Sequence, residues 1–140
     1  MDTKPTAAYN PKTVKIRSGE NYLNSAKRAF ERSKYRLAEN LLLKADLSYQ
    51  GYGNKAGSEK TDFLKIAIDL LKSSKNSSKL GDYKGAQQDL DMALKKFQAA
   101  GYGYGESFVK EEITHVKSLA ANQSQRIRES VRERLEKLSE

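Results

Sequence analysis

From residue 19 onwards the apolar residues of this chain recur in steps of three and four, and both prolines, Pro5 and Pro11, lie before that point. A 3.6-residue period sustained over about 120 positions leaves helices as the only regular element. Tyr22, Ala26, Ala29 and Phe30 form one stripe, and Leu37, Ala38, Leu41, Leu42 and Ala45 form another. Phe63, Ile66, Ala67, Leu70 and Leu71 form a third, and Tyr83, Ala86, Leu90, Ala93, Leu94 and Phe97 a fourth. Val109, Ile113, Val116, Ala120, Ile127, Val131, Leu135 and Leu138 make the longest. No alternation long enough for a strand interrupts them. The pattern predicts an all-α chain, with antiparallel helical hairpins or a bundle of four to five helices and a long C-terminal helix.

Punctuation sets the expected boundaries. Residues 1–18 lack apolar periodicity and are expected to be a flexible basic arm ahead of a single helical domain at 19–140, with Ser18 suited to cap its first helix. Hairpin units are expected at 19–50 and 62–100, with a helix over 106–139. Nothing between Tyr22 and Tyr49 is Gly or Pro, so 19–50 reads equally as one helix or as two with a turn near Ser33–Tyr35. The stretch "GYGNKAGSEKTD" (51–62) reads as a loop, with Ser58 or Thr61 starting the next helix. "KSSKNSSKLGD" (72–82) reads as a helix end and turn, and "GYGYG" (101–105) as a closing loop.

The phrase "GDYKGAQQDLDMA" (81–93) echoes "SKYRLAENLLLKA" (33–45) at an offset of 48, pairing Tyr35 with Tyr83, Ala38 with Ala86, Leu42 with Leu90 and Ala45 with Ala93. "YQGYG" (49–53) then matches "FQAAGYG" (97–103) with two extra residues, which implies a duplicated unit with a period of 48–50. Over residues 20–100 the pattern Ala-x3-Leu-x2-Ala after a Gly-Asp-Tyr turn resembles the second helix of a tetratricopeptide repeat. There, small residues at the crossing points let antiparallel helices approach. Ala26 and Ser74 are the corresponding small residues of the first helices. This chain departs from the family in its longer period, in Ala29 and Ser77 where an aromatic is usual, and in lacking a closing proline. The resemblance implies a protein-binding scaffold.

Chemistry is sparse. There is no cysteine and one histidine, His115, so thiolate nucleophiles, disulfides and multi-histidine metal sites are excluded. "GYGNKAGSEKT" lacks the Gly-Lys-Ser/Thr ending of a phosphate-binding loop. Asp89 and Asp91, two apart, diverge on a helix. No catalytic residue, cofactor or metal is expected. No apolar run approaches the roughly 20 residues of a membrane span, and the start lacks a secretory apolar core, so a soluble, cytoplasmic protein is expected.

The charge is informative. The chain carries +8, of which residues 1–36 supply +6, from nine basic and three acidic side chains. Lys12, Lys15, Arg17, Lys27, Arg28 and Arg32 are candidates to meet phosphates or an acidic partner. Tyr52, Tyr102 and Tyr104, expected in loops, are candidate protein-contact anchors. Ile127, Val131 and Leu135 are candidates for a partner helix or for self-association into a homo-oligomer. The expected function is a non-enzymatic protein–protein interaction or scaffold module, with nucleic-acid binding through the basic N-terminal region as the alternative.

Overall fold

In a computed structural model the backbone is described from Pro11 and the side chains from Ser18, and five helices account for nearly all of it. They are α1 (Pro11–Glu31), α2 (Tyr35–Gly51), α3 (Lys55–Lys79), α4 (Tyr83–Ala100) and α5 (Gly103–Ser139). There is no strand among the described residues. The expected all-α class and long last helix are what the structure has. Each helix packs on the next, α1 on α2, α2 on α3, α3 on α4 and α4 on α5. Connectors of two or three residues turn the chain back each time, so neighbours run antiparallel.

The first helix begins at Pro11, not at residue 19, so part of the expected arm is helical. Proline suits the first helical position, where its missing N–H has no partner to lose. Residues 1–10 lie outside the described region. The open question over 19–50 resolves as two helices parted at Arg32–Lys34. Ser33 turns the chain in the left-handed region at φ 61°, and the Lys34 N–H returns to the Ala29 carbonyl at 2.8 Å. Forty-eight residues on, Gly81 takes φ 78° and the Asp82 N–H returns to the Ser77 carbonyl at 2.9 Å.

The loops are shorter than expected. α3 starts at Lys55 because Asn54 caps it, its Oδ1 accepting the Gly57 N–H at 3.0 Å. Thr61, expected as a cap, is instead a buried helical residue whose hydroxyl donates to the Gly57 carbonyl. α3 continues through the polar stretch 72–79 because Ser74 packs inward and Asp82 caps α4 from beyond the turn. "GYGYG" is a two-residue connector, Gly101–Tyr102, and the rest belongs to α5.

The repeat holds a constant 48-residue offset, with no two-residue insertion. α1 ends at 31 and α3 at 79, α2 begins at 35 and α4 at 83, and α3 begins at 55 and α5 at 103. Gly53 and Gly101 both stand at φ 68°, and Tyr49 corresponds to Phe97. Ala38, Leu42, Ala45, Ala86, Leu90 and Ala93 are all at most 1% exposed, so the spacing that signalled close helix crossing lines the core. On α1 Ala26, Ala29 and Phe30 are buried as expected, and on α3 Ala67 is buried with Phe63, Leu70 and Leu71 packed against the core; the departures are single positions. Leu23 is buried and Tyr22 is exposed beneath Lys44; Leu64 and Ile68 are buried and Ile66 is exposed.

The tightest contacts recur with the same offset. A Cβ on Gly57 would stand 2.5 Å from the Tyr49 ring, and one on Gly105 2.5 Å from the Phe97 ring. Gly57→Ala and Gly105→Ala are each expected to lower unfolding free energy by roughly 1–3 kcal/mol through overpacking. Gly103→Ala, with open space at its Cβ, should be neutral or stabilising in the same denaturant titrations. Ser33→Gly should stabilise the chain by about 0.5–1 kcal/mol by relieving the left-handed backbone, and Gly81→Ala should do the reverse. A thermal melt of each reads the sign.

Candidate functional site

The three tyrosines expected as free loop anchors occupy three different settings. Tyr52 is half-buried at the end of α2. Tyr104 lies on the first turn of α5, 45% exposed, with its ring edge-on to Phe30 at 6.0 Å. Tyr102 is a core residue, which overturns its reading as an accessible anchor. The connector is so short that its ring must fold inward, where it meets Phe30 at 6.1 Å and Phe97 at 5.8 Å. Its hydroxyl donates to Glu31 Oε2 at 2.6 Å, clasping the end of α1 to the start of α5. Burial and this hydrogen bond push the Tyr102 phenol far above its ordinary value. Phe30 is the hub, touching Tyr35, Phe97, Tyr102, Tyr104 and Phe108. Its stripe position announced burial, but all its ring partners except Tyr35 come from the distant α4–α5 region.

The basic set is dispersed. The side chains of Lys12, Lys15 and Arg17 lie outside the described residues. Lys27 sits 5.3 Å over the Tyr102 ring, and burial, then the charge of Lys60, lowers its pKa against the opposing pull of Glu31. Arg28 is exposed and donates to Ser25 Oγ at 3.2 Å, and Arg32 is exposed at the close of α1. Of the described trio, Arg28 and Arg32 share a face one turn apart, while Lys27 faces the bundle.

Two concavities stand out. Between α3 and α5 lies a groove of about 550 Å³, with Ile68, Leu71, Phe108 and Val116 among its apolar lining and Lys75, Lys79, Glu112 and His115 among its polar lining. Lys72 also borders it and is ion-paired with Glu39. The other lies by the α2–α3 turn, where Asp62 and Ser58 line a depression. Beside it the buried Asp46 accepts hydrogen bonds from Ser58 Oγ at 2.5 Å and Gln50 Nε2 at 3.1 Å, with Lys65 Nζ at 3.8 Å. Burial, then the Asp46 charge, raises the Asp62 pKa. Asp46 ties α2 to α3, a role invisible in the sequence because its partners come from two helices. Among the described residues no group of three or more His, Cys, Asp or Glu side chains could hold a metal. No helix there is long and apolar enough to cross a membrane.

The most exposed apolar surface is the end of α5. Every residue from 121 onwards is exposed, and near its start the Gln123 side-chain amide ties the helix to the bundle by donating to the Gly81 carbonyl at 3.4 Å. Beyond it stand Ile127 at 58% exposure, Val131 at 48%, Leu135 at 58% and Leu138 at 83%. These continue the face by which α5 packs on α4. Val109, Ala120 and Val131 are spaced by eleven residues, as are Ile113, Ser124 and Leu135, and Val116, Ile127 and Leu138. Eleven residues close three helical turns with a drift of roughly 20°, so the row runs almost straight off the bundle. Leu80, 86% exposed, stands in the turn that Gln123 reaches.

Tyr102→Phe is expected to cost about 1.5–3 kcal/mol by removing a hydrogen bond to a carboxylate. Because the folded state raises the phenol pKa, this contribution is complete below the unfolded value near 10 and falls as pH rises above it. Wild type should therefore lose stability between about pH 10 and 11.5 more steeply than the variant in urea titrations. Comparison of the chain with protein-family models, curated proteins and solved structures found no significant match.

Proposed function

We propose that this chain is a non-enzymatic protein-interaction module, a small scaffold of paired helices that offers the outer part of α5 to a protein partner. One observation carries the reading. The α4-packing face of α5 continues past the bundle as Ile127, Val131 and Leu135, aliphatic side chains with no intramolecular cover. An apolar row held out in solvent on a regular helix is costly to solubility unless something covers it. The resemblance of the Ala-Leu-Ala pattern to tetratricopeptide helices points the same way, because that architecture serves peptide and protein recognition. The absence of cysteine and of a second histidine supports a non-enzymatic role.

Nucleic-acid binding through the basic N-terminal region is the competing reading. Lys27 argues against it, since its ammonium is engaged over Tyr102. The two separate by salt, because phosphate contacts weaken steeply with ionic strength while apolar docking does not.

The test is a chain stopped after residue 124. Its bundle should keep the wild-type melting temperature within about 3 °C, because the deleted residues are all exposed. In nuclease-treated extract of the native cell at about 0.3 M salt, the intact chain should retain a specific protein and the shortened chain should lose it. Equal retention by both would remove the C-terminal helix from the reading. Retention abolished by nuclease would favour the nucleic-acid alternative.

A further inference from the structure

The charges around the exposed row of α5 are sorted, although they alternate in the sequence. At 3.6 residues per turn, Arg128 and Arg134 lie about 60° to either side of the Ile127–Val131–Leu135–Leu138 stripe. Arg132 and Lys137 lie behind them, roughly 100–120° from its centre, and Arg126 lies farther round at about 140°. Glu129, Glu133, Glu136 and Glu140 all fall on the opposite face, about 140–180° away. Residues 126–140 carry five cations and four anions, so the segment is nearly neutral in sum, yet its apolar edge is bordered only by cations. Among the described residues none of these cations makes an ion pair.

We infer that the outer α5 face is a docking site for an amphipathic helix of another protein whose own apolar stripe is flanked by Glu or Asp. This rests on the interaction-module reading and specifies its partner. Continuity with the α4–α5 interface indicates a helical occupant, because the rows that receive α4 run on along the same face through Gln123 and Ser124 to Ile127. Such a helix would lie end-on to α4, beside the turn that carries Leu80. Charge then selects among helices. In a helix pair the residues flanking the two stripes face each other. A second copy would set Arg128 and Arg134 against the same arginines in either orientation, a repulsive arrangement. An acidic-flanked helix meets unpaired cations on both sides. The stripe is about 80° wide and purely aliphatic, narrower than the face a helix buries in a lipid surface and without the aromatic residues that favour one. Phosphates would leave its apolar centre uncovered.

The full-length chain tests this with two labelled helical peptides that share one Leu/Ile stripe, one flanked by Glu and the other by Lys. Fluorescence anisotropy at about 0.1 M salt should show the Glu-flanked peptide binding at least about ten-fold tighter. R128E/R134E should invert that preference. I127S/L135S should abolish binding of both peptides while leaving the circular dichroism unchanged, since both residues are exposed. Equal binding of the two peptides, or binding that survives I127S/L135S, overturns the proposal. So does a dimer in sedimentation that I127S/L135S abolishes, which assigns the face to a second copy. Flotation with phosphatidylcholine–phosphatidylserine vesicles lost in that variant assigns it to a lipid surface. If the shortened chain loses its cellular partner but the peptides show no charge preference, the module reading stands and the acidic-helix inference falls.

Discussion

The architecture turns on an aromatic ring laid against a glycine where one hairpin meets the next. The Tyr49 ring lies where Cβ atoms on both Gly19 of α1 and Gly57 of α3 would collide with it. Phe97 repeats the contact against Gly105 of α5. Without a Cβ on the glycine, the incoming helix comes close enough for the ring to cover its backbone. That approach brings Ala45 and Ala93, one turn earlier, into fully buried crossings. The left-handed Gly53 and Gly101 follow four residues after each ring and start the next helix at a fixed angle. Ring, glycine turn and glycine receiver thus form one device used twice, and the constant offset of 48 is its consequence. An extra residue anywhere between ring and receiver would rotate the next helix by about 100° and bury the wrong face.

α5 begins 48 residues after α3 and so takes the place of a third first helix. The inward residues of α3 include Phe63, Ala67, Leu70 and Ser74, and their counterparts on α5 are Glu111, His115, Ser118 and Asn122. On α5 these positions are polar. The turn is missing as well. Ser33 and Gly81 correspond to Glu129, and the chain continues as helix through Ser139. The tail is therefore what remains when a unit boundary is replaced by helix-forming, charged residues. It keeps the apolar row directed at α4 but has left α4 behind.

Much of this was legible from the residues alone. The Ala-Leu-Ala spacing located both second helices and their buried faces, and the 3–4 periodicity over 109–138 located α5. What escaped was whatever depends on contacts between units. Thr61 and Ser58 look like caps until Asn54 is seen to cap from farther upstream. Tyr102 looks like a loop residue until the connector is known to be two residues long. The burial of Leu23 in place of Tyr22 on α1, and of Leu64 more deeply than Phe63 on α3, escaped because these are adjacent apolar pairs and periodicity cannot choose within a pair. Packing chooses the residue that points between two neighbours. The row of Ile127, Val131 and Leu135 was legible because nothing but helix geometry governs it, and their exposure is what the structure adds. The sorting of their charged neighbours was equally present in the sequence, but it emerges only when residues are placed by angle and not by order.

The tail also owes its conformation to the bundle. A helix of sixteen residues beyond Gln123 would be marginal alone, because nucleation is unfavourable and its exposed face contributes no burial. Here the nucleus already exists: Val109 and Val116 are buried, and helix propagation from them needs no new initiation. Good helix formers, Arg, Glu, Leu and Lys, fill most positions from 126 to 138. The partner proposed for Ile127, Val131 and Leu135 would therefore meet a helix that is already formed. The conformational entropy lost on binding falls mainly on the partner, which favours a ligand that is itself helical or disposed to become so. The repeat thus supplies both the direction of the arm and its order before any contact is made.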